Sequence, residues 1–381
     1  MMFEGTPVAG KGIFDRVTES GGGFNNGQTS NDFTQYFESA PISALEPMLW
    51  LEADRMKTLD FSTKNLDNQR SVVEEEVRVN VLNQPYGLFY AFDLPGKVFD
   101  KYPNAHNGYG DFKDLDAATI ADVKQFYEKY YVPSNAVLAL VGDFSSDEAF
   151  GKIANYFGGI PAKPAPVRPD VSEGLLPKER RDQETDSLAR VPALAIGYRA
   201  PSAETRDALV GAVAGEILHN GQASRLYQAL VKDKQVALSI SGGLNFNNYT
   251  PFEYKGPTLI GSFILYSPGK TQDQVLAAYD EVIGELAKKG PSREELDRVT
   301  NKMRSDWYGQ LEIPVFRAQT LSHFQLLEGS YERAYTIPDE LAKVTPEEVR
   351  AFAAKYLVKS NRAVINRIPK PGEKSVNGGA Q

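Results

Sequence analysis

The chain has 381 residues, with 42 Lys and Arg against 50 Asp and Glu and a formal charge of −8. No basic run accompanies that balance, which excludes an electrostatic footprint for nucleic acid, and no apolar run approaches the roughly 18 residues of a membrane span. Cysteine is absent and the histidines are His106, His219 and His323, so disulfide and thiolate chemistry are excluded and a metal site must lean on carboxylates or on residues outside this sequence.

In chain order, the pattern predicts a short helix over 11–20 that ends at Gly21–Gly23, where glycine suits a C-cap. Residues 29–39 alternate and are rich in Thr and aromatics, as a strand should be. "PISALEPMLWLEADRMKTL" predicts a helix with Pro41 near its start and an apolar stripe through Leu45, Met48, Leu49 and Met56. "TKNLDNQRSVVEEEVRVNVLNQ" predicts another, with Leu66, Val73 and Val77 facing inward. Strands are expected near 236–247 and 258–267, followed by long helices over 271–289 and 292–311.

The stretch "GGIPAKPAPVRPDVSEG", residues 158–174, holds four prolines and has glycines at both ends. It can continue neither a helix nor a central strand, and it reads as an extended linker. The expected organisation is a domain over 1–157, this linker, and a second domain over 175–381.

Both halves close on the same phrase. "LDAATIADVKQFYEKYYVPSN" starts at Leu115 and "LAKVTPEEVRAFAAKYLVKSN" at Leu341, and at this offset nine of 21 positions are identical. They include Thr119 and Thr345, Phe126 and Phe352, Tyr130 and Tyr356, and Asn135 and Asn361. Each copy reads as an amphipathic helix, a turn and a buried strand, "AVLALVG" in the first and "RAVINRI" in the second. An internal duplication follows, and with it an α+β fold of two homologous domains, each a mostly antiparallel sheet covered by helices.

Among motifs that carry chemistry, "GGGFNN" is no phosphate loop, because no Gly-Lys-Ser/Thr follows and the glycines end a helix instead of opening one. Glu74, Glu75 and Glu76 lie mid-helix, where successive side chains diverge by about 100°. A solvated acidic face is the ordinary reading of such a run, and a metal ligand on one side of the helix is the alternative. In "FNNGQTSNDFTQYF" the asparagines suit a sheet edge that offers backbone groups to an extended peptide, or an ordinary protected edge.

At this point the sequence resembles a known family. "MMFEGTPVAGKG" with "GGGFNNGQTSNDFTQYF", then "NQRSVVEEEVRVNVLNQPYG", "FYEKYYVPSNAVLALVGDF" and "GQASRLYQAL", is similar to the pitrilysin/insulinase metallopeptidases, of the mitochondrial processing peptidase-like, short bacterial type. The resemblance covers nearly the whole chain. It implies two homologous α+β domains that pair with those of a second subunit around a chamber, and a Zn2+ that activates water on a peptide bound as an added strand. It implies that Glu76, in "RSVVEEE", is the third zinc ligand, that Gln69 is a supporting residue where many relatives have Glu, and that Asn26, Thr29 and Thr34 bind substrate. In the family the phrase F-x-G-T follows an H-x-x-E-H motif within a few residues. The first strand, the histidine pair and the general base are therefore expected upstream of Met1, and the 381-residue chain alone is expected to be inactive.

One departure bears on partners. The Arg and Tyr that the family uses to hold substrate fall on Val231 and Leu238 in "LVKDKQVAL". A homologous subunit that supplies the pair is the expected partner, which makes a heterodimer the expected assembly. A periplasmic location is favoured over the cytoplasm. The competing readings are a non-catalytic scaffold subunit of the same fold and a peptide-binding protein that does not cleave.

Overall fold

Two threonines at matching places in the duplication start matching helices. In the computed structural model, which describes residues 1–246 and 250–370, Thr119 Oγ1 accepts from the Asp122 amide while the Asp122 carboxylate accepts from the Thr119 amide. Thr345 and Glu348 repeat this reciprocal cap. Each cap satisfies two backbone groups that the first helical turn would leave orphaned.

The helices in chain order are α1 (Ile13–Ser20), α2 (Leu45–Lys57), α3 (Thr63–Val77), α4 (Phe89–Val98), α5 (Tyr102–Ala105), α6 (Phe112–Ala117) and α7 (Ile120–Tyr130). They continue with α8 (Ser146–Phe157), α9 (Arg206–His219), α10 (Gln272–Lys289), α11 (Arg293–Glu312), α12 (Pro314–Glu328), α13 (Arg333–Ala342) and α14 (Pro346–Tyr356). The strands are β1 (Phe24–Thr29), β2 (Thr34–Ser39), β3 (Arg180–Asp186), β4 (Ala193–Ser202), β5 (Ala237–Leu244), β6 (Pro257–Tyr266) and β7 (Arg362–Pro369). The fold is thus α+β, as the sequence indicates. Residues 161–174 of the Pro-rich stretch form neither helix nor strand.

The residues cluster into two compact units, each drawn from three stretches of chain. One comprises Met1–Glu75, Gly108–Asp170 and Asn301–Ala342, and the other Glu76–Asn107, Val171–Thr300 and Lys343–Gln381. The units therefore differ from contiguous halves by an exchange, in which 76–107 and 301–342 each belong with the other half of the sequence.

The first unit holds a hairpin in which β1 and β2 pair antiparallel, from Phe24↔Ser39 to Thr29↔Thr34. The single strand expected over 29–39 is interrupted because Asn31 and Asp32 favour a turn, which closes with Ser30 N–H donating to Phe33 O at 2.9 Å. One face of the hairpin meets α12, where the Gln35 amide donates to Gln319 O at 3.0 Å and the Phe33 ring stands edge-on to His323.

The second unit holds a five-stranded sheet in the order β3-β7-β4-β6-β5, antiparallel except where β3 runs parallel to β7. An apolar run makes α4, and its Phe89, Leu94 and Val98 pack with Ala193, Ala195, Ala363 and Ile365 of β4 and β7. Both faces of this sheet are covered, so most residues of its central strands β7, β4 and β6 are buried, which matches their largely apolar sequence.

The strand expected at "AVLALVG" does not form. Residues 136–142 take no strand pairing, and among the described residues the backbone of 137–142 makes no hydrogen bond. Leu138 is 45% exposed, whereas its repeat counterpart Val364 in β7 is 1% exposed. A strand needs ladder partners more than it needs propensity; β7 has two, β3 and β4, and residues 136–142 have none.

The core of the second unit also buries a polar chain. His219 Nδ1 sits 3.0 Å from Gly215 O, its Nε2 sits 2.7 Å from Ser262 Oγ, and Ser262 Oγ is 2.9 Å from the Tyr279 hydroxyl. With Nδ1 donating to the carbonyl, Ser262 donates to Nε2 and Tyr279 donates to Ser262. Burial disfavours the imidazolium more than the Gly215 carbonyl favours it, and holds His219 down at about 4. Among the described residues no helix is long and apolar enough to cross a membrane.

Two predictions follow from this packing. Phe352→Ala should cost about 3–4 kcal/mol in urea unfolding of the 381-residue chain, while Phe126→Ala at the matching exposed site should fall within about 0.5 kcal/mol. As pH falls from 6.5 toward 4 the unfolded chain binds a proton at His219 that the folded one refuses. Stability contributed by the neutral ring, about 3 kcal/mol, is therefore present above pH 6.5 and is lost through that window; His219→Gln should remove this part of the pH dependence.

Candidate functional site

The phrase "FEGT" folds into a tight, buried turn. Gly5 has φ +91°, and a Cβ there would come 2.6 Å from Ala9 O, so only glycine fits. Thr6 N–H donates to Ala9 O at 2.8 Å, and the Thr6 hydroxyl donates to the Asp54 carboxylate at 2.5 Å while accepting from the Ala9 amide. This places Glu4 with its carboxylate buried. Glu4 Oε1 accepts from Lys11 Nζ at 2.8 Å, Asn68 Nδ2 at 2.8 Å and Gln69 Nε2 at 2.6 Å. Burial opposes ionisation, but the hydrogen bonds from Lys11, Gln69 and Asn68 outweigh it and hold Glu4 below its usual range. A polar cavity of about 490 Å³ opens beside it, lined by Glu4, Lys11, Asp60, Asn65 and Asn68 among others.

Gln69 is thus committed to Glu4, seven residues before Glu76 on the same helix. Glu76 lies exposed in the last turn of α3, beside exposed Glu75 and half-buried Glu74. Among the described residues no three His, Cys, Asp or Glu side chains gather closely enough to hold a metal ion. Zinc prefers four ligands, or three and a water, so the described residues do not fit that ion.

The residues expected to bind substrate do not share one face. Asn25, across the ladder from Glu38, donates to Thr18 Oγ1 of α1 at 2.8 Å, which defines the α1 side of the hairpin. Strand alternation puts Thr29 and Thr34 on that side, where their hydroxyls meet at 3.3 Å. Asn26, paired with Phe37, falls on the opposite side, exposed, and its Oδ1 accepts from the Gly27 amide at 2.8 Å. What the three share is the hairpin itself, whose β1 strand has β2 as its ladder partner and no other among the described residues. Of the two positions aligned with the family's Arg and Tyr, Val231 is half-buried in the helical stretch 227–233 and Leu238 is exposed near the start of β5, an edge strand.

Sequence reading missed a buried charge cluster behind this hairpin. Arg55 is 3% exposed, with its guanidinium 4.4 Å from the Phe14 ring centre and 4.7 Å from that of Tyr36. It donates through Nε to Glu52 at 2.9 Å and pairs with Glu38 at 3.3 Å. The Tyr36 and Tyr131 hydroxyls meet at 2.8 Å. Burial, a hydrogen bond to Glu52 and the charge of Glu52 push Glu38 well above the usual carboxylate range, against the pull of Arg55. One cation beside two carboxyls explains this, since a shared proton leaves the cluster neutral. The signal was present: Glu52, Asp54 and Arg55 interrupt the apolar run of α2.

Glu38 sets a pH dependence. Its folded pKa is raised, so its contribution is full below the unfolded value near 4.5 and is lost as pH rises through the folded value. Glu38→Gln should remove that loss, and the stability gap between the variant and the parent should widen as pH rises above 4.5 in urea titrations.

The fold is a two-unit α+β arrangement, one unit holding the β1–β2 hairpin and the other the five-stranded sheet. Residues 117–303 match the family described as the Peptidase M16 inactive domain. The zinc protease PqqE of Helicobacter pylori is 26% identical over 323 residues, spanning 81% of this chain and 68% of that protein. The uncharacterized zinc protease ML0855 of Mycobacterium leprae is 22% identical over 373 residues, spanning 96% of this chain and 80% of that one. In fold, the chain matches the crystal structure of a protease from Helicobacter pylori with a TM-score of 0.88 at 22% identity, covering 97% of this chain and 87% of that one. Residues 117–303 are thus similar to the Peptidase M16 inactive domain, and most of the chain is similar to proteins named zinc proteases.

Proposed function

We propose that this chain serves peptide-bond hydrolysis by holding an extended peptide along the outer edge of β1. The observation that carries the reading is that edge: a polar strand with one ladder partner, in a chain related to proteins named zinc proteases. A peptide laid beside β1 gains main-chain hydrogen bonds irrespective of its sequence, and side chains on alternate positions set preference. Asn26 on one face and Thr29 on the other border that peptide, with Thr34 behind Thr29 on β2. Zinc, which supplies an activated water in such peptidases, needs donors beyond the described residues. Glu76 is this chain's contribution to them, and Gln69 acts on the site through Glu4. A homologous subunit that supplies the Arg and Tyr missing at Val231 and Leu238 completes the substrate grip, in a two-subunit chamber. Since the similar PqqL of Escherichia coli is described as a periplasmic protease, the periplasm is the compartment this reading favours.

One observation favours the scaffold reading instead, the lack of a three-donor cluster among the described residues. Two measurements on the 381-residue chain separate the readings. Zinc by equilibrium dialysis should stay far below one ion per chain, with no cleavage of a fluorogenic peptide library. Fluorescence anisotropy should detect binding of extended peptides, weakened about fivefold by Asn26→Ala, the loss of one hydrogen bond. Peptide binding that is absent, or indifferent to Asn26, would favour the scaffold. One bound zinc with turnover would overturn the account of the site.

A further inference from the structure

Asparagine followed by glycine is a labile linkage in any polypeptide, because glycine has no side chain to screen its amide from the neighbouring carboxamide. The sequence holds such pairs at 26–27, 107–108, 220–221 and 377–378. The structure separates the first from Asn220–Gly221 by where each carboxamide is held.

Ser30 N–H donates to Phe33 O at 2.9 Å, and the register continues from that turn as Thr29↔Thr34, Gln28↔Gln35, Gly27↔Tyr36 and Asn26↔Phe37. Alternation along an antiparallel ladder then turns the main-chain groups of Gln28 and Asn26 toward β2 and those of Thr29 and Gly27 away from it. The Gly27 amide therefore lies outside the ladder, and it donates to Oδ1 of Asn26 at 2.8 Å. Asn26 Cγ is one C=O bond from that oxygen, which puts it within about 4 Å of the Gly27 nitrogen. Asn26 is exposed, and among the described residues no hydrogen bond holds its Nδ2. Asn220 differs in each respect. Its Nδ2 donates to the Glu216 carboxylate, which turns the carboxamide back along α9, and among the described residues no hydrogen bond joins its Oδ1 to the Gly221 amide.

Packing calls for glycine at 27. A Cβ there would come 3.1 Å from the Phe3 ring and 3.2 Å from that of Tyr36, and Tyr36 in turn faces the Arg55 guanidinium. A larger residue would press on the ring that covers the buried charge cluster, so the hairpin keeps a reactive pair on its outer edge.

We infer that Asn26–Gly27 is a self-modification site, at which the folded hairpin converts Asn26 to aspartate and isoaspartate. The Gly27 nitrogen gives its proton to solvent hydroxide and attacks Asn26 Cγ from the position it already holds. The N–Cγ bond forms and the Cγ–Nδ2 bond breaks; Nδ2 takes a proton from water and leaves as ammonia, and a cyclic imide remains. Water then adds to one of the two imide carbonyls. Opening at Cγ restores the main chain with aspartate, and opening at the main-chain carbonyl routes the chain through the side-chain carbon as isoaspartate. The net change is one water gained and one ammonia lost, with no oxidation or reduction. Either product places a negative charge on the outer edge of β1, and isoaspartate also lengthens the backbone by one methylene, which breaks the period-two alternation beyond it. Weaker peptide binding at that edge is a consequence that rests on the function proposed above; the modification itself does not.

Peptide mapping by mass spectrometry, with electron-transfer fragmentation to tell aspartate from isoaspartate, tests this on the 381-residue chain held folded at neutral and alkaline pH and held unfolded in guanidinium. In the folded chain Asn26 should be modified at least about tenfold faster than Asn220, faster at alkaline pH because hydroxide takes the amide proton, and no more slowly than in the unfolded chain. Asn26→Gln keeps the carboxamide but sets it one methylene further away, and modification at 26 should fall at least about tenfold while circular dichroism shows the same fold. Modification at Asn26 no faster than at Asn220, or slower in the folded chain than in the unfolded one, would overturn the inference. Fluorescence anisotropy on fresh and aged chain reads the consequence separately, since unchanged peptide binding after Asn26 has been modified would count against the peptide-edge reading alone.

Discussion

An apolar sheet has to be covered on both faces, and this requirement organises the chain. Residues 76–107 bring α4 onto the five-stranded sheet, where Phe89, Leu94 and Val98 fill the space left by alanines in β4 and β7. Residues 301–342 bring α12 onto the β1–β2 hairpin. Each sequence half thus gives up a helical stretch to the unit built around the other half's sheet. The linker at 158–174 marks a punctuation in the sequence, while the packing units interleave across it.

Two kinds of buried polar group sit within these units, and they behave oppositely with pH. The His219, Ser262 and Tyr279 chain stays neutral and satisfied, and it weakens when acid forces a proton on the imidazole. The Glu38, Glu52 and Arg55 cluster keeps a proton it would ordinarily lose, and it weakens as pH rises. Buried ionisable groups cost stability unless every charge is balanced. Arg55 meets that condition through two carboxyls and two aromatic faces.

The duplication, the α+β class and the long helices were legible because amphipathic periodicity and the repeated phrase report directly on local structure. Strands were less legible. "AVLALVG" and "RAVINRI" look alike in sequence, yet β7 forms because β3 and β4 flank it, and no composition rule sees the neighbour. The hairpin looks like one strand in sequence because its turn, Asn31–Asp32, is short. In the site, Glu4 is hidden as a hub because two of its three donors, Asn68 and Gln69, are distant in sequence, and Asn26 lies near Thr29 in sequence although strand alternation separates their side chains. The buried Arg55 was readable in principle, as a charge inside an apolar stripe.

The central claim is that the first copy of the duplicated fold leaves its last strand position unpaired while the second copy fills it. Amide hydrogen exchange on the 381-residue chain tests this most directly. The account predicts near-unprotected exchange for residues 137–142 and, for β7, exchange slowed more than about 1,000-fold to the level of cooperative unfolding. Comparable protection in the two segments would contradict it.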